Sequence, residues 1–231
     1  MDCTASTDSK EEHDNDNSGI DNMNSLHPSG TGACFAHGTL VTINTGATKP
    51  IQELRSGDIA QTLAGELFVV SLLRTRVENE IMCRLGDIFV TAWHPVSLQG
   101  IDWYFPVHLT TEPIMYTGEV YSVLLEVDNS PFAHTIHLGS VWAATLGHGI
   151  TSTAPGDDGT PADVRGHPFF GNYLDVCSKI SILRPMNGAY QYYGTLRDPT
   201  TGWVNGFRVD MPSYGGASYD GTAAQPPPPA S

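Results

Sequence analysis

Between residues 34 and about 146, apolar positions come in short runs rich in β-branched and aromatic residues. Turn-forming residues close each run after about eight to twelve positions, the rhythm of an all-β sandwich or barrel. The runs are Thr39 to Ile43, Asp58 to Leu63, Leu67 to Thr75, Ile81 to Leu85, Ile88 to Thr91, Ile101 to Phe105, Glu119 to Val127, Thr135 to Leu138 and Val141 to Leu146. Separators such as Asn44-Thr45-Gly46, Gly86-Asp87 and Asp128-Asn129-Ser130 tolerate positive φ or bond their own backbone. No long stretch repeats apolar residues at i, i+3, i+4 and i+7, so helices are expected to be scarce. The pattern predicts one compact β domain of many short strands.

The flanks read differently. From Gly147 to Asp210 the strand rhythm is lost, Gly and Pro are frequent and aromatic residues dense, which predicts an ordered, irregular C-terminal extension. Residues 1–33 carry seven acids and one lysine among Ser, Asn and Gly, too little apolar surface to fold, and are expected to be disordered. Residues 211–231 run through Gly and Ala to Pro226–Pro229 and read as a solvated tail.

Charge and cysteine content narrow the function classes. Eleven Lys and Arg against 25 Asp and Glu give a net charge of −14, which repels phosphate backbones and excludes nucleic acid as an expected partner. No apolar run reaches the roughly 18 residues a membrane span needs, and the start is acidic where a secretory leader is basic. With four cysteines and no Cys-x-x-Cys, these features predict free thiols in the cytoplasm.

Two local features carry candidate chemistry. Cys34 stands where the acidic segment meets the first strand, behind Gly30-Thr31-Gly32-Ala33, so the peptide bond before it is sterically open and its own thiol is the nearest nucleophile. A thiol of pKa about 8.5 needs a nearby base or positive field to act as thiolate. The second feature is Thr91-Ala92-Trp93-His94-Pro95, in which a turn at Pro95 brings His94 to the side of Thr91, so that hydroxyl and imidazole grip one peptide unit together.

The order of these features resembles the Hint (hedgehog/intein) superfamily. CFAHGTLVTINTGATKPIQELRSGDIAQT is similar to its opening block and VTAWHPV to its Thr-x-x-His block. LGHGI and GHPFFGN, followed by Gly202-Trp203 and Gly206, are similar to the Vint subfamily, the Hint domains associated with von Willebrand A proteins; the likeness spans about residues 32 to 210. It implies a Hint-type β domain over 34–146, a Vint-type extension over 147–210, and an autoprocessing, single-turnover activity without cofactor. Cys34 would attack the Ala33 carbonyl, an N-to-S acyl shift giving a thioester. His94 would protonate the departing amine, and Thr91 would hold the peptide or the histidine in register. The substrate is then the chain's own N-terminal segment, and the acceptor that resolves the thioester is water or another small nucleophile.

Two departures shape the expectation. Where family members carry an aspartate before the Thr-x-x-His block, the chain reads Leu72-Leu73-Arg74-Thr75-Arg76, a basic stretch whose field would lower the Cys34 pKa. The strand Val141 to Thr145 has neither the His nor the Asn of a splicing intein, which predicts N-terminal cleavage without splicing. His148 and His167 are candidate acceptor-site groups, with a turn role as the plainer reading. A catalytically degenerate Hint fold serving as an interaction or scaffold module is the alternative. A metal site using Cys34, His37, Cys83 or His134 and His137 is a third reading; the last two face opposite ways in a strand, and no metal is expected.

Overall fold

A computed structural model describes residues 32–211; the predicted acidic segment up to residue 31 and the tail from residue 212 lie outside the described residues. Ten strands make up the first part of the chain. They are β1 (Phe35–Ala36), β2 (Leu40–Thr42), β3 (Thr48–Pro50), β4 (Ile59–Thr62), β5 (Gly65–Leu85), β6 (Ile88–Thr91), β7 (Val96–Ser97), β8 (Pro113–Leu125), β9 (Thr135–Leu138) and β10 (Val141–Ala144). The extension adds α1 (Tyr173–Ile180), β11 (Arg184–Met186), β12 (Ala189–Gln191), β13 (Thr195–Arg197) and β14 (Val204–Phe207). No helix among the described residues is long and apolar enough to cross a membrane.

Two of the predicted runs, Leu67 to Thr75 and Ile81 to Leu85, are parts of the single 21-residue strand β5. The polar stretch between them is a β-bulge: the register against β8 shifts between Val77 and Glu80, and Asn79 takes φ 54°. A bulge bends a strand without ending it. Because β5 bends, it pairs with both β8 and β6, and β1 lies between β6 and β8, so these four strands close on themselves. Phe35 pairs with Val90 on one side and Tyr121 on the other, which places Cys34 at the mouth of the closed circuit. The run Ile101 to Phe105 forms no strand beyond a bridge from Tyr104 to Val96.

Side chains that alternate across the paired long strands feed two separate cores. Leu72 and Val123 point into the main core with Phe35, Val90, Ile136 and Leu138. Their neighbours Leu73 and Leu124 point the other way, into a second core built by the extension from Phe169, Phe170, Val176, Ile180, Tyr192 and Phe207. The extension is more regular than its sequence rhythm implies. Asn172 caps α1 by accepting from Asp175 N–H at 3.2 Å, and Val176 and Ile180, four apart, bury one helical face. Strand β12 joins β5 in parallel, with Tyr190 opposite Leu73 and Gln191 opposite Arg74.

Since one pair of strands supplies both cores, the two are expected to melt together. Phe207, buried against Phe169 (5.3 Å between ring centroids) and Tyr192 (5.1 Å), reports on this. Phe207→Ala is expected to cost about 3–5 kcal/mol and to lower one shared transition seen by both near- and far-UV circular dichroism. Two separated transitions would contradict the shared-strand account.

Candidate active site

Cys34 is fully buried, packed beside Ala36, Val77, Met82 and Val120. Thr91, at the end of β6, clamps the chain around it. The Cys34 N–H donates to Thr91 Oγ1 at 3.0 Å, the Thr91 hydroxyl reaches the carbonyls of Gly32 (3.1 Å) and Cys34 (3.3 Å), and the Thr91 N–H donates to the Cys34 carbonyl at 3.0 Å. Thr91 therefore holds residues 32 to 34 in one register.

His94 follows through a tight turn in which its N–H donates to the Thr91 carbonyl at 3.1 Å. Its ring is buried, lies 4.2 Å from the Phe35 ring, and sets Nε2 2.7 Å from the Ala144 carbonyl. A carbonyl only accepts, so Nε2 carries the proton and Nδ1, which is buried and has no hydrogen-bond partner, presents a lone pair. Burial pulls the His94 pKa down to about 4, against the smaller opposing influence of the Ala144 and Cys34 backbones. The resting imidazole is neutral. The strand that lacks a splicing His and Asn thus supplies the carbonyl that fixes the histidine tautomer.

Three groups that the sequence did not single out complete the site. Ser122, on β8, donates its hydroxyl to the Ala33 carbonyl at 2.7 Å, and the same Oγ lies 3.2 Å from Cys34 Sγ. In the resting state the Ser122 proton lies on the Ala33 carbonyl and its oxygen accepts from the thiol; donation to the sulfur requires that proton to turn once the thiol ionises. Tyr192, from the extension, is fully buried with its hydroxyl 3.4 Å from Cys34 Sγ. It arrives there because β12 pairs with β5 and the Tyr192 N–H donates to the Arg74 carbonyl at 3.0 Å. Glu80, at the bulge of β5, is buried, and its charge bears on both Cys34 and Tyr192. The sequence offered one signal, a lone small hydroxyl at Ser122 inside the apolar run Val120 to Leu125.

Electrostatics differ from the expectation of a basic field. Desolvation pushes the Cys34 thiol up to about 11, the Ser122 and Tyr192 hydroxyls pull it partly back, and Glu80 raises it further. Arg74 is spent elsewhere, donating to Gln191 Oε1 at 3.0 Å and lying 3.5 Å from Glu119. The thiol is protonated at neutral pH.

The remaining candidates bond to other partners, although His148 bears electrostatically on His94. His167 Nδ1 accepts from the N–H groups of Phe169 (3.1 Å) and Phe170 (3.0 Å), and His148 Nδ1 from Ile150 N–H (3.3 Å). Both are buried and held near pKa 3, chiefly by desolvation. Cys83 is buried with its thiol pushed up to about 11, and Cys177 is half-buried. His134 and His137 turn to different partners, the Asp128 carbonyl (3.1 Å) and the Thr42 hydroxyl (2.9 Å), and His37 Nδ1 lies 3.4 Å from the Tyr121 hydroxyl. Among the described residues no three His, Cys, Asp or Glu side chains gather as a metal site would need.

Among solved structures, the gp41-1 intein is similar at 13% identity and a TM-score of 0.38, covering 50% of this chain and all of its own. A bacterial intein-like domain from Clostridium thermocellum is similar at 16% identity and a TM-score of 0.38, covering 48% of this chain and 97% of its own. No curated protein matches the chain. The Vint model, described as a Hint domain, matches residues 33–206, and the chain belongs to this family, with an all-β, Hint-type fold.

Proposed function

We propose that the protein is an autoprocessing domain that cleaves the bond between Ala33 and Cys34 through a thioester, without splicing. Hint domains generally carry autoprocessing capacity. The observation that carries the reading is the position of Ser122 Oγ, at once 2.7 Å from the Ala33 oxygen and 3.2 Å from Cys34 Sγ. One hydroxyl orients the nucleophile and polarises the carbonyl it attacks.

The step balances within these residues. A bond forms from Cys34 Sγ to the Ala33 carbonyl carbon, and the displaced π pair moves to oxygen, where the Ser122 hydroxyl stabilises it. His94 accepts the thiol proton on Nδ1 and returns it to the Cys34 nitrogen as the C–N bond breaks, leaving an amine and a thioester. Tyr192 adds a hydrogen bond to the sulfur. Water or a small nucleophile then takes the acyl group, with His148 and His167 as turn-capping residues of the extension. A cytoplasmic setting suits the reading, since the nucleophile must remain a reduced thiol.

Incubated with hydroxylamine and followed by intact mass, the wild-type chain is expected to lose residues 1–33, and Cys34→Ala to stay whole. Ser122→Ala should slow cleavage about 100- to 1,000-fold and His94→Ala about 100-fold or more, with melting confirming the fold. Wild type that stays intact while folded would overturn the proposal in favour of a scaffold role.

The neutral imidazole fixes the pH profile. Under saturating hydroxylamine the rate should stay level from about pH 8 to about pH 5, since His94 changes charge only near 4. A step centred near 6.5 would contradict the assignment. Stability falls on the acid side: His94 (about 4), His148 and His167 (about 3) titrate below the unfolded value of about 6.5, so the folded state binds fewer protons. That contribution is full above pH 6.5 and shrinks by up to about 1.4 kcal/mol per unit per histidine as pH drops toward those values.

A further inference from the structure

The strings LGHGI and GHPFFGN meet in space. Gly147 N–H donates to the Phe170 carbonyl at 2.7 Å, Gly149 N–H to Gly171 at 2.8 Å, and His167 N–H to Ile150 at 3.1 Å. A side chain at Gly171 would collide with the Ile150 carbonyl, so this close backbone approach requires glycine there. The clasp fixes Phe170, whose ring packs 4.5 Å from His167 and 5.4 Å from Phe169 and is itself buried.

Phe170 closes over the segment leading into Cys34. Gly32 takes φ +79°, its carbonyl is held by Thr91, and a Cβ added there would meet Phe170 Cζ at 2.5 Å. Two constraints thus act at one position, a left-handed backbone and a ring where a side chain would go. We propose that Phe170 is a specificity-determining residue that admits only glycine two positions upstream of the bond Cys34 attacks. The upstream segments this domain releases are then those ending in Gly-Xaa. The proposal rests on the autoprocessing reading for its consequence, but the fit of residues 32 to 34 into the slot is measurable without cleavage.

Asparagine separates the two constraints, because it adopts left-handed backbone readily yet carries a Cβ. Gly32→Asn is made alone and with Phe170→Leu, which keeps apolar volume in the second core; melting checks both. Cleavage in hydroxylamine and alkylation of Cys34 by iodoacetamide, mapped by peptide mass, are followed in parallel. Gly32→Asn is expected to cleave about ten-fold or more slower than wild type and to alkylate Cys34 faster, because the displaced segment uncovers the thiol. In the Phe170→Leu background both effects should shrink to within about three-fold. Equal penalties in both backgrounds, or no penalty from asparagine, would overturn the gate. If wild type never cleaves, the autoprocessing reading falls, and the alkylation ratios alone still decide whether Phe170 excludes a side chain at residue 32.

Discussion

The three-residue segment 32 to 34 is held by hydroxyls from two different strands, and the proposed cleavage depends on that hold. Thr91 binds the amide of Cys34 and the carbonyl of Gly32, while Ser122 binds the carbonyl of Ala33 between them. With a thiol raised to about 11, little thiolate exists at neutral pH, so the proposed attack would not draw on a high concentration of activated nucleophile. It would draw on proximity: sulfur and carbonyl share one hydroxyl partner, so that prepaid orientation would substitute for ionisation. The fold makes this hold by closing β5, β6, β1 and β8 on themselves, which fixes the residue before β1 from both sides.

The extension packs onto the same strands and reaches the same cluster. Alternation along β5 and β8 gives the main core Leu72 and Val123 and leaves Leu73 and Leu124 for a second layer to cover. Covering them brings β12 alongside β5 and delivers Tyr192 to the sulfur. The same layer seats Phe170 over Gly32. Stability and the shape of the site are thereby coupled through one pair of strands.

Local signals in the sequence singled out Cys34, Thr91 and His94 as candidates, since a turn at Pro95 and a glycine-rich junction are readable from neighbours. The strand pattern was legible too, with β6 and β9 matching their predicted runs end to end. What stayed hidden was long-range. Cys34 meets Ser122 across 88 positions and Tyr192 across 158, and no spacing rule spans such separations. The bulge at Asn79 read as a break because its polar residues imitate a turn, although β8 continues to pair on both sides of it. Helix α1, eight residues long, is too short to leave a periodic signature and is formed by its Asn172 cap and its packing. Arg74 was misread because its charge is satisfied along the sheet by Glu119 and Gln191, away from the thiol.

The most direct test of the central claim is the chemical identity of the new chain end formed in hydroxylamine. Tandem mass spectrometry of the released fragment should find a hydroxamate on Ala33, with Cys34 as the first residue of the remaining protein. A fragment ending at any other residue, or an Ala33 carboxylate formed at a rate indifferent to hydroxylamine, would contradict a thioester at Cys34.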